Sequence, residues 1–122
     1  MSTVLIVDDD AAIRKVLRTL FDRASGFKAC AEAGDGAEAI AKAKKLLPNL
    51  VILDFSMPGM NGLQLARSLK AITPQIPIFM LTADYTVRLE KEALLSGITA
   101  VFSKLDDLVT VVANARAVCG LE

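Results

Sequence analysis

Five short apolar segments alternate with five amphipathic segments along this chain of 122 residues, and few folds accommodate that alternation. The apolar segments predict strands at Val4 to Val7, Phe27 to Ala33, Leu50 to Leu53, Ile76 to Leu81 and Ala100 to Phe102. The first, third and fourth are continuously apolar, which is typical of strands that helices cover on both faces of a parallel sheet. Lys28 and Glu32 in the second segment indicate an edge strand.

The segments between the strands have the periodicity of amphipathic helices. Apolar residues recur every three or four positions from Ile13 to Phe21, and the same stripe returns from Leu108 to Cys119. Further helices are predicted at Ala37 to Leu47, from Asn61-Gly62 to the residue before Pro74, and at Thr86 to Ser96. We therefore predict an α/β fold, three-layer and doubly wound (flavodoxin-like). Its five-stranded parallel sheet has the order 2-1-3-4-5 and carries five helices.

The size and composition of the chain suit a single folded domain. Its mass is 13.0 kDa, 53% of its residues are hydrophobic and 23% are charged, which argues against disorder. The sequence has no apolar run long enough to span a membrane, and we expect no secretory leader. Its two cysteines, Cys30 and Cys119, suit a reducing compartment. We expect a cytoplasmic domain over residues 1–120, and we interpret Leu121-Glu122 as a candidate expression-tag remnant, after which an output domain could have been removed.

Charge and residue types exclude several classes of function. The 14 basic and 14 acidic residues cancel, so we predict no direct nucleic acid binding. The absence of histidine excludes the usual zinc sites and Ser-His or Cys-His catalysis. Four acids are nevertheless concentrated, because Asp8, Asp9 and Asp10 follow the first predicted strand and Asp54 follows the third.

The predicted topology brings these acids to one place. Ligands of open α/β sheets bind at the carboxyl ends of the strands where the strand order reverses, which here lies between strands one and three. Clustered carboxylates repel and raise each other's pKa, so we predict that three or four of these carboxylates hold a divalent cation, and Mg²⁺ prefers such oxygen ligands. The alternative is that Asp9 and Asp10 cap the first helix and that Asp54 belongs to a turn.

Two further strand ends carry polar groups to the same edge. Thr82 directly follows the fourth predicted strand, and Lys104 comes two residues after the fifth. Taken singly, each has an ordinary explanation, a threonine in a turn or a lysine that reaches solvent. Together with a metal ion, a hydroxyl and an ammonium that converge on Asp54 would neutralise the equatorial oxygens of a transferred phosphoryl group.

In this order and at these spacings the motifs resemble a response-regulator receiver domain of two-component signalling, similar to the chemotaxis regulators. The resemblance covers nearly the whole chain. The motifs are Val4-Leu5-Ile6-Val7-Asp8-Asp9-Asp10, Val51 to Gly62, Met80-Leu81-Thr82-Ala83 and Lys104. The spacings are 54−8 = 46, 82−54 = 28 and 104−82 = 22 residues.

The resemblance implies a phosphoacceptor and a magnesium site. Asp54 would take a phosphoryl group from a histidine kinase, a phosphotransfer protein or a small phosphodonor. Asp9, Asp54 and the backbone carbonyl of Ser56 would bind Mg²⁺ directly, and Asp8 would act mainly through water.

The resemblance also implies groups that bind the phosphoryl oxygens. The Thr82 hydroxyl and the Ala83 backbone N–H would donate to them, and Lys104 would pair with them. Ser56 and Asp84 lie two residues after the acceptor and the threonine, where receivers control the lifetime of the phosphoryl group.

Two positions depart from the family pattern. Leu105 replaces the usual cis proline after the lysine, so we expect a trans Lys104-Leu105 peptide. Val101 replaces an aromatic residue that often takes part in switching, and strand alternation points its neighbour Phe102 to the opposite face. We therefore expect Thr82 and the fourth helix to carry the signal.

The resulting prediction is a phosphorylation-controlled signalling domain, whose only catalysis is its own phosphorylation and slow dephosphorylation. Its expected partners are a kinase, an output domain or target protein, and a second copy of the chain in a phosphorylation-dependent homodimer; no membrane partner is expected. A pseudo-receiver, a constitutive interaction domain without phosphate, stays open. A haloacid-dehalogenase-like phosphatase would need an acid in place of Ser56, and a flavodoxin-like carrier would place a flavin phosphate against three aspartates.

Overall fold

The computed structural model describes residues 2–104 and 108–121. Five parallel strands form one sheet in the order β2-β1-β3-β4-β5, which confirms the predicted fold and topology. The strands are β1 (Ser2–Val7), β2 (Phe27–Ala33), β3 (Leu50–Asp54), β4 (Ile78–Thr82) and β5 (Ala100–Ser103). The helices are α1 (Ala11–Arg23), α2 (Gly36–Leu46), α3 (Gly62–Ile72), α4 (Val87–Leu95) and α5 (Leu108–Val118).

The strand limits differ from the predicted ones in a way that bears on function. Strands β3 and β4 each extend one residue further than predicted, so that Asp54 and Thr82 are the last residues of their strands. The predicted start of β4 at Ile76 is wrong. Ile76 is buried, but its N–H donates to the Thr73 carbonyl in the turn after α3, so its apolar character reflects burial rather than strand conformation.

Polar side chains fix the points at which the helices begin. Asp10 accepts a hydrogen bond from the Ala12 N–H at 2.9 Å and caps α1. Asn61 and Gln64 form a reciprocal capping box at the start of α3, with both bonds at 3.0 Å. These caps set where the chain leaves the sheet edge and enters each helix.

Alternate residues of the central strands fill two separate cores. Leu5 and Val7 face the core shared with α2, α3 and α4, whereas Val4 and Ile6 face the core shared with α1 and α5. The same alternation holds in β5, as predicted: Val101 packs against the first core, and Phe102 lies 5.2 Å from Phe79, between ring centroids, in the second. Both faces of the sheet are thus covered by helices, and the polar side chains lie at the carboxyl ends of the strands.

The C-terminal residues continue this packing. Leu121 lies against Gly26, where a Cβ would come within 2.7 Å of the Leu121 Cδ1 atom, and its N–H donates to the Arg116 carbonyl at 2.8 Å. The end of the domain at residue 120 stays a prediction, and Glu122 lies outside the described residues. Across the described ranges no helix has the length and apolar character needed to cross a membrane.

Candidate functional site

Three carboxylates converge at the carboxyl edge of the two central strands. Asp8 follows β1 and Asp54 ends β3, and the two strands pair in register up to Val7 and Leu53. One carboxylate oxygen from each of Asp8, Asp9 and Asp54 lies within 4.8 Å of the others. Asp8 is 1% exposed and Asp54 is 4% exposed, whereas Asp9 faces solvent.

Local hydrogen bonds hold the two buried carboxylates in place. The Asp10 N–H donates to Asp8 Oδ1 at 2.9 Å, and the Ser56 N–H donates to Asp54 Oδ1 at 3.4 Å. The capping alternative is therefore right for Asp10, whose side chain serves α1. The Asp9 carboxylate instead lies with those of Asp8 and Asp54.

The Lys104 ammonium bridges the two buried carboxylates. Its Nζ atom lies 2.9 Å from Asp8 Oδ2 and 3.2 Å from Asp54 Oδ1. Burial alone would lower the pKa of Lys104, but the contacts with the two carboxylates outweigh burial and raise that pKa above its ordinary value. Sequence reasoning placed this ammonium beside Asp54 only, whereas it also lies against the Asp8 carboxylate.

The pocket still carries excess negative charge. Burial and, next in size, repulsion by Asp8 raise the pKa of Asp54, although the Lys104 ammonium and the Ser56 N–H act in the opposite direction. Asp8 Oδ2 is buried, and beyond the lysine ammonium the described residues offer it no donor. A set of three carboxylates with one solvent-exposed member fits Mg²⁺, which takes oxygen ligands and retains waters.

Thr82 lies at the neighbouring strand end and is 2% exposed. Its Oγ1 atom accepts a hydrogen bond from the Asp84 N–H at 3.1 Å, and the hydroxyl proton remains able to donate. The Lys104 N–H donates to the Thr82 carbonyl at 2.8 Å, which ties the lysine backbone to the same edge. Ala83 and Asp84 are exposed beside it.

The residue two positions after Asp54 and the peptide after Lys104 also entered the sequence predictions. Ser56 is exposed just after β3, and the metal-binding role of its carbonyl stays a prediction. A phosphatase of the haloacid-dehalogenase type would need a carboxyl group at this position, where the chain has a hydroxyl. The conformation of the Lys104-Leu105 peptide lies outside the described residues.

Close packing by α3 positions the backbone at the end of β3. The Gly62 N–H donates to the Phe55 carbonyl at 2.8 Å. A Cβ on Gly62 would lie 2.9 Å from the Asp54 carbonyl oxygen and from Phe55 Cα, closer than real Cβ contacts come. The sequence indicated a helix start at Asn61-Gly62, but not that this glycine touches the phosphoacceptor candidate.

Sequence reasoning missed one polar group that contacts the site. Arg14 of α1 donates from Nη1 to the Asp8 backbone carbonyl and from Nε to Glu32 Oε1 at 3.2 Å. Glu32 had been read only as a sign of an edge strand. A basic residue one turn after Asp10 and an acid at the end of β2 form the pattern that could have indicated this pair.

Comparison with known proteins supports the resemblance to receiver domains. The sequence model of the family described as response regulator receiver domain matches residues 4–115. A Pseudomonas aeruginosa protein named as a candidate transcriptional regulator is 38% identical over 118 residues, which cover 97% of this chain and 56% of that protein. The DNA-binding response regulator MtrA of Mycobacterium tuberculosis is 45% identical over 80 residues, 66% of this chain and 34% of MtrA. The chain thus spans about half and a third of these relatives, respectively.

A solved structure extends the likeness to three dimensions. A chain in the crystal structure of the CheX-CheY-BeF3-Mg²⁺ complex from Borrelia burgdorferi is 29% identical and superposes with a TM-score of 0.88. The match covers 96% of this chain and 88% of that chain. The protein therefore belongs to the response regulator receiver domain family, the phosphoacceptor signalling domains of two-component systems.

Proposed function

We propose that Asp54 is the residue that accepts the phosphoryl group, in a reaction that requires Mg²⁺. The observation that carries this proposal is the setting of the Asp54 carboxylate. It is buried at the end of a central strand, with two further carboxylates within 4.8 Å and an ammonium at 3.2 Å. A nucleophile, a set of metal ligands and a cation thus meet at one point, as phosphoryl transfer requires.

In the proposed reaction an Asp54 oxygen attacks the phosphorus of the donor. A new O–P bond forms while the P–N bond of a phosphohistidine, or the P–O bond of an acyl phosphate, breaks, and the leaving group keeps the electron pair. Mg²⁺ held by Asp8, Asp9 and Asp54 would supply the positive charge that offsets repulsion between the carboxylate and the anionic donor.

Three groups at the neighbouring strand ends would hold the phosphoryl oxygens. Lys104 would exchange its contact with Asp54 for one with a phosphoryl oxygen, because the aspartate loses its charge when it is phosphorylated. The Thr82 hydroxyl and the Ala83 N–H would donate to the other oxygens. Asp84 and Ser56, both exposed beside these groups, would control access of water to the phosphoaspartate.

The hydrogen bond between Thr82 and Asp84 offers a route for the signal. A Thr82 hydroxyl that turns toward the phosphoryl group would weaken its bond to the Asp84 N–H and loosen the segment that leads into α4. Val101 has no aromatic ring to rotate, so α4 itself would carry the output. Its exposed apolar residues support this view, because Val87 is 60%, Leu94 50% and Leu95 90% exposed.

The partners follow from the proposed chemistry. We expect a histidine kinase or phosphotransfer protein as donor, and a target protein, an output domain or a second copy of the chain as the reader of the phosphorylated state, all in the cytoplasm. The curated relatives are longer than this chain, and MtrA is named as DNA-binding, which supports an output domain beyond residues 1–120.

Mass spectrometry of the intact protein tests the proposal. With Mg²⁺ and acetyl phosphate we expect the chain to gain the mass of one phosphoryl group, and with chelator or in Asp54→Asn to gain none. Beryllofluoride with Mg²⁺ should shift the amide resonances of Thr82 and Ala83 in the wild type only. Phosphorylation of Asp54→Asn at the wild-type rate would disprove the acceptor assignment, and no response of the wild type to either reagent would favour the pseudo-receiver.

A further inference from the structure

Arg14 connects the acidic pocket to the edge strand of the sheet. Its guanidinium donates to the backbone carbonyl of Asp8 and, through Nε, to Glu32 Oε1 at 3.2 Å. The side chain is 20% exposed, so both contacts are largely shielded from solvent. A Cβ on Gly34 would lie 3.6 Å from Arg14 Nη1, so the turn after β2 passes directly over the guanidinium.

The Asp8 carbonyl lies where the sheet can no longer provide a partner. The ladder between β1 and β2 ends at Val7 and Ala33, and the last bond beyond it runs from the Asp8 N–H to the Ala33 carbonyl at 3.1 Å. The Asp8 carbonyl itself lies beyond this ladder, at the turn that carries the Asp8 and Asp9 carboxylates. A half-buried carbonyl needs a donor, and Arg14 is the donor that the described residues provide.

Glu32 is itself held by two cations. Arg18 Nη1 lies 3.0 Å from Glu32 Oε2, so that each carboxylate oxygen has its own guanidinium partner. Hydrogen bonds from Arg18 and, less strongly, Arg14 lower the pKa of Glu32 despite some burial, which keeps the carboxylate charged at neutral pH. The resulting pair fixes the position of the Arg14 guanidinium against the end of β1.

We propose that Arg14 is a positioning residue for the Mg²⁺ site, which holds the Asp8-Asp9 turn in a geometry ready to bind the metal, and that Glu32 anchors Arg14 for this task. The inference rests on the proposed function, because it assigns the metal to the same three carboxylates. Partners of metal ligands that do not touch the metal commonly control ligand orientation, and their loss weakens metal binding.

Electrostatics and positioning predict opposite effects for Arg14, which makes the proposal testable. A positive charge next to an acidic pocket opposes Mg²⁺ binding, so its removal should tighten binding if charge alone matters. If Arg14 instead positions the Asp8-Asp9 turn, its removal should weaken binding although the repulsion is relieved. Arg18 provides the matched control. Arg18→Gln removes the same charge and a contact with the same glutamate, at a position one turn further along α1.

The experiment measures the Mg²⁺ dissociation constant of each variant of the 122-residue chain from amide chemical shifts, with thermal melts to confirm folding. We expect Arg14→Gln to weaken Mg²⁺ binding about tenfold and to shift the amides of Asp8 and Asp9 in metal-free buffer. Arg18→Gln and Glu32→Gln should each lose less than Arg14→Gln, because both act on the metal site only through Arg14. Arg14→Lys should not restore binding, because one ammonium cannot reproduce the two directed contacts of the guanidinium.

A double variant supplies the decisive comparison. If Glu32 acts through Arg14, Arg14→Gln with Glu32→Gln should bind Mg²⁺ no more weakly than Arg14→Gln alone. Unchanged or tighter binding in a folded Arg14→Gln, or an equal loss in Arg18→Gln, would overturn the positioning role while the wild type still binds Mg²⁺. Absence of Mg²⁺ binding in the wild type would instead contradict the proposed function itself.

Discussion

Asparagine in place of Asp54 removes one negative charge from the pocket and keeps the shape of the side chain. At an effective dielectric constant of about 20, Coulomb's law gives an attraction of about 5 kcal/mol to the Lys104 ammonium at 3.2 Å. Repulsion by the Asp8 carboxylate, at 4.8 Å or less, is about 3.5 kcal/mol or more on the same basis. Asp9 adds a smaller repulsion because solvent screens it. The charge pairs therefore nearly cancel.

Burial then decides the sign of the effect. Removal of a charge from water costs several kcal/mol in a real protein, and the raised pKa of Asp54 shows that its charged form is disfavoured in the fold. We expect Asp54→Asn to raise the free energy of unfolding by about 1–2 kcal/mol at neutral pH in metal-free buffer. For a domain of this size that is an increase in Tm of about 3–8 °C.

Saturating Mg²⁺ should reverse the order of stability. A ligand at 100 times its Kd stabilises the wild type by about 2.7 kcal/mol, and the variant should gain less because it has lost one ligand.

The assay is urea denaturation or thermal melting in EDTA and in Mg²⁺. Asp22→Asn serves as the control, since it removes the same charge from an exposed site on α1 and should change Tm little. An Asp54→Asn protein that is equally or less stable than the wild type in EDTA would refute the charge-balance argument.

Three more predictions concern the surroundings of the acceptor. Gly62→Ala should lower the free energy of unfolding by about 1–3 kcal/mol and slow phosphorylation, because its Cβ would press on the backbone of the acceptor strand. Gly59→Ala is its control, because none of the described residues has an atom within 4 Å of a Cβ there. It should cost about 1 kcal/mol because of its positive φ, and it should slow phosphorylation no further than that loss of stability explains. Lys104→Met should lower the free energy of unfolding by about 3–5 kcal/mol in EDTA, since it leaves two buried carboxylates without their cation. Mg²⁺ should recover part of this loss. Equal Tm values for the variant and the wild type in EDTA would contradict the ion pairs of Lys104 with Asp8 and Asp54. In EDTA the destabilising contribution of Asp54 should fade as pH drops through its raised pKa, because the folded state holds that proton more tightly than the unfolded state. The Tm values of the wild type and Asp54→Asn should therefore converge at acid pH. A Tm difference that does not change with pH would contradict the raised pKa of Asp54.

Local patterns predicted the elements of the fold well, because they depend on residues close together in the chain. The 3.6-residue and two-residue periods identified the helices and strands, and alternation placed Val101 and Phe102 on opposite faces of the sheet. Ile76 shows where such patterns fail, since a buried residue in a turn is as apolar as one in a strand. The order of the strands followed from general rules of α/β topology rather than from any single residue.

The amino-acid sequence alone was enough to say which chemical groups stand at the strand ends, because the apolar segments located the ends of the strands to within one residue. The sequence could not show that the Lys104 ammonium contacts both Asp8 and Asp54, or that Arg14 donates a hydrogen bond to the Asp8 carbonyl. The lysine contacts join residues far apart in the chain, and the arginine contact depends on how α1 packs beside the end of β1. Their distances exist only once both cores have packed against the sheet. Burial by the same packing determines the local dielectric, and with it whether the charge on Asp54 stabilises or destabilises the fold.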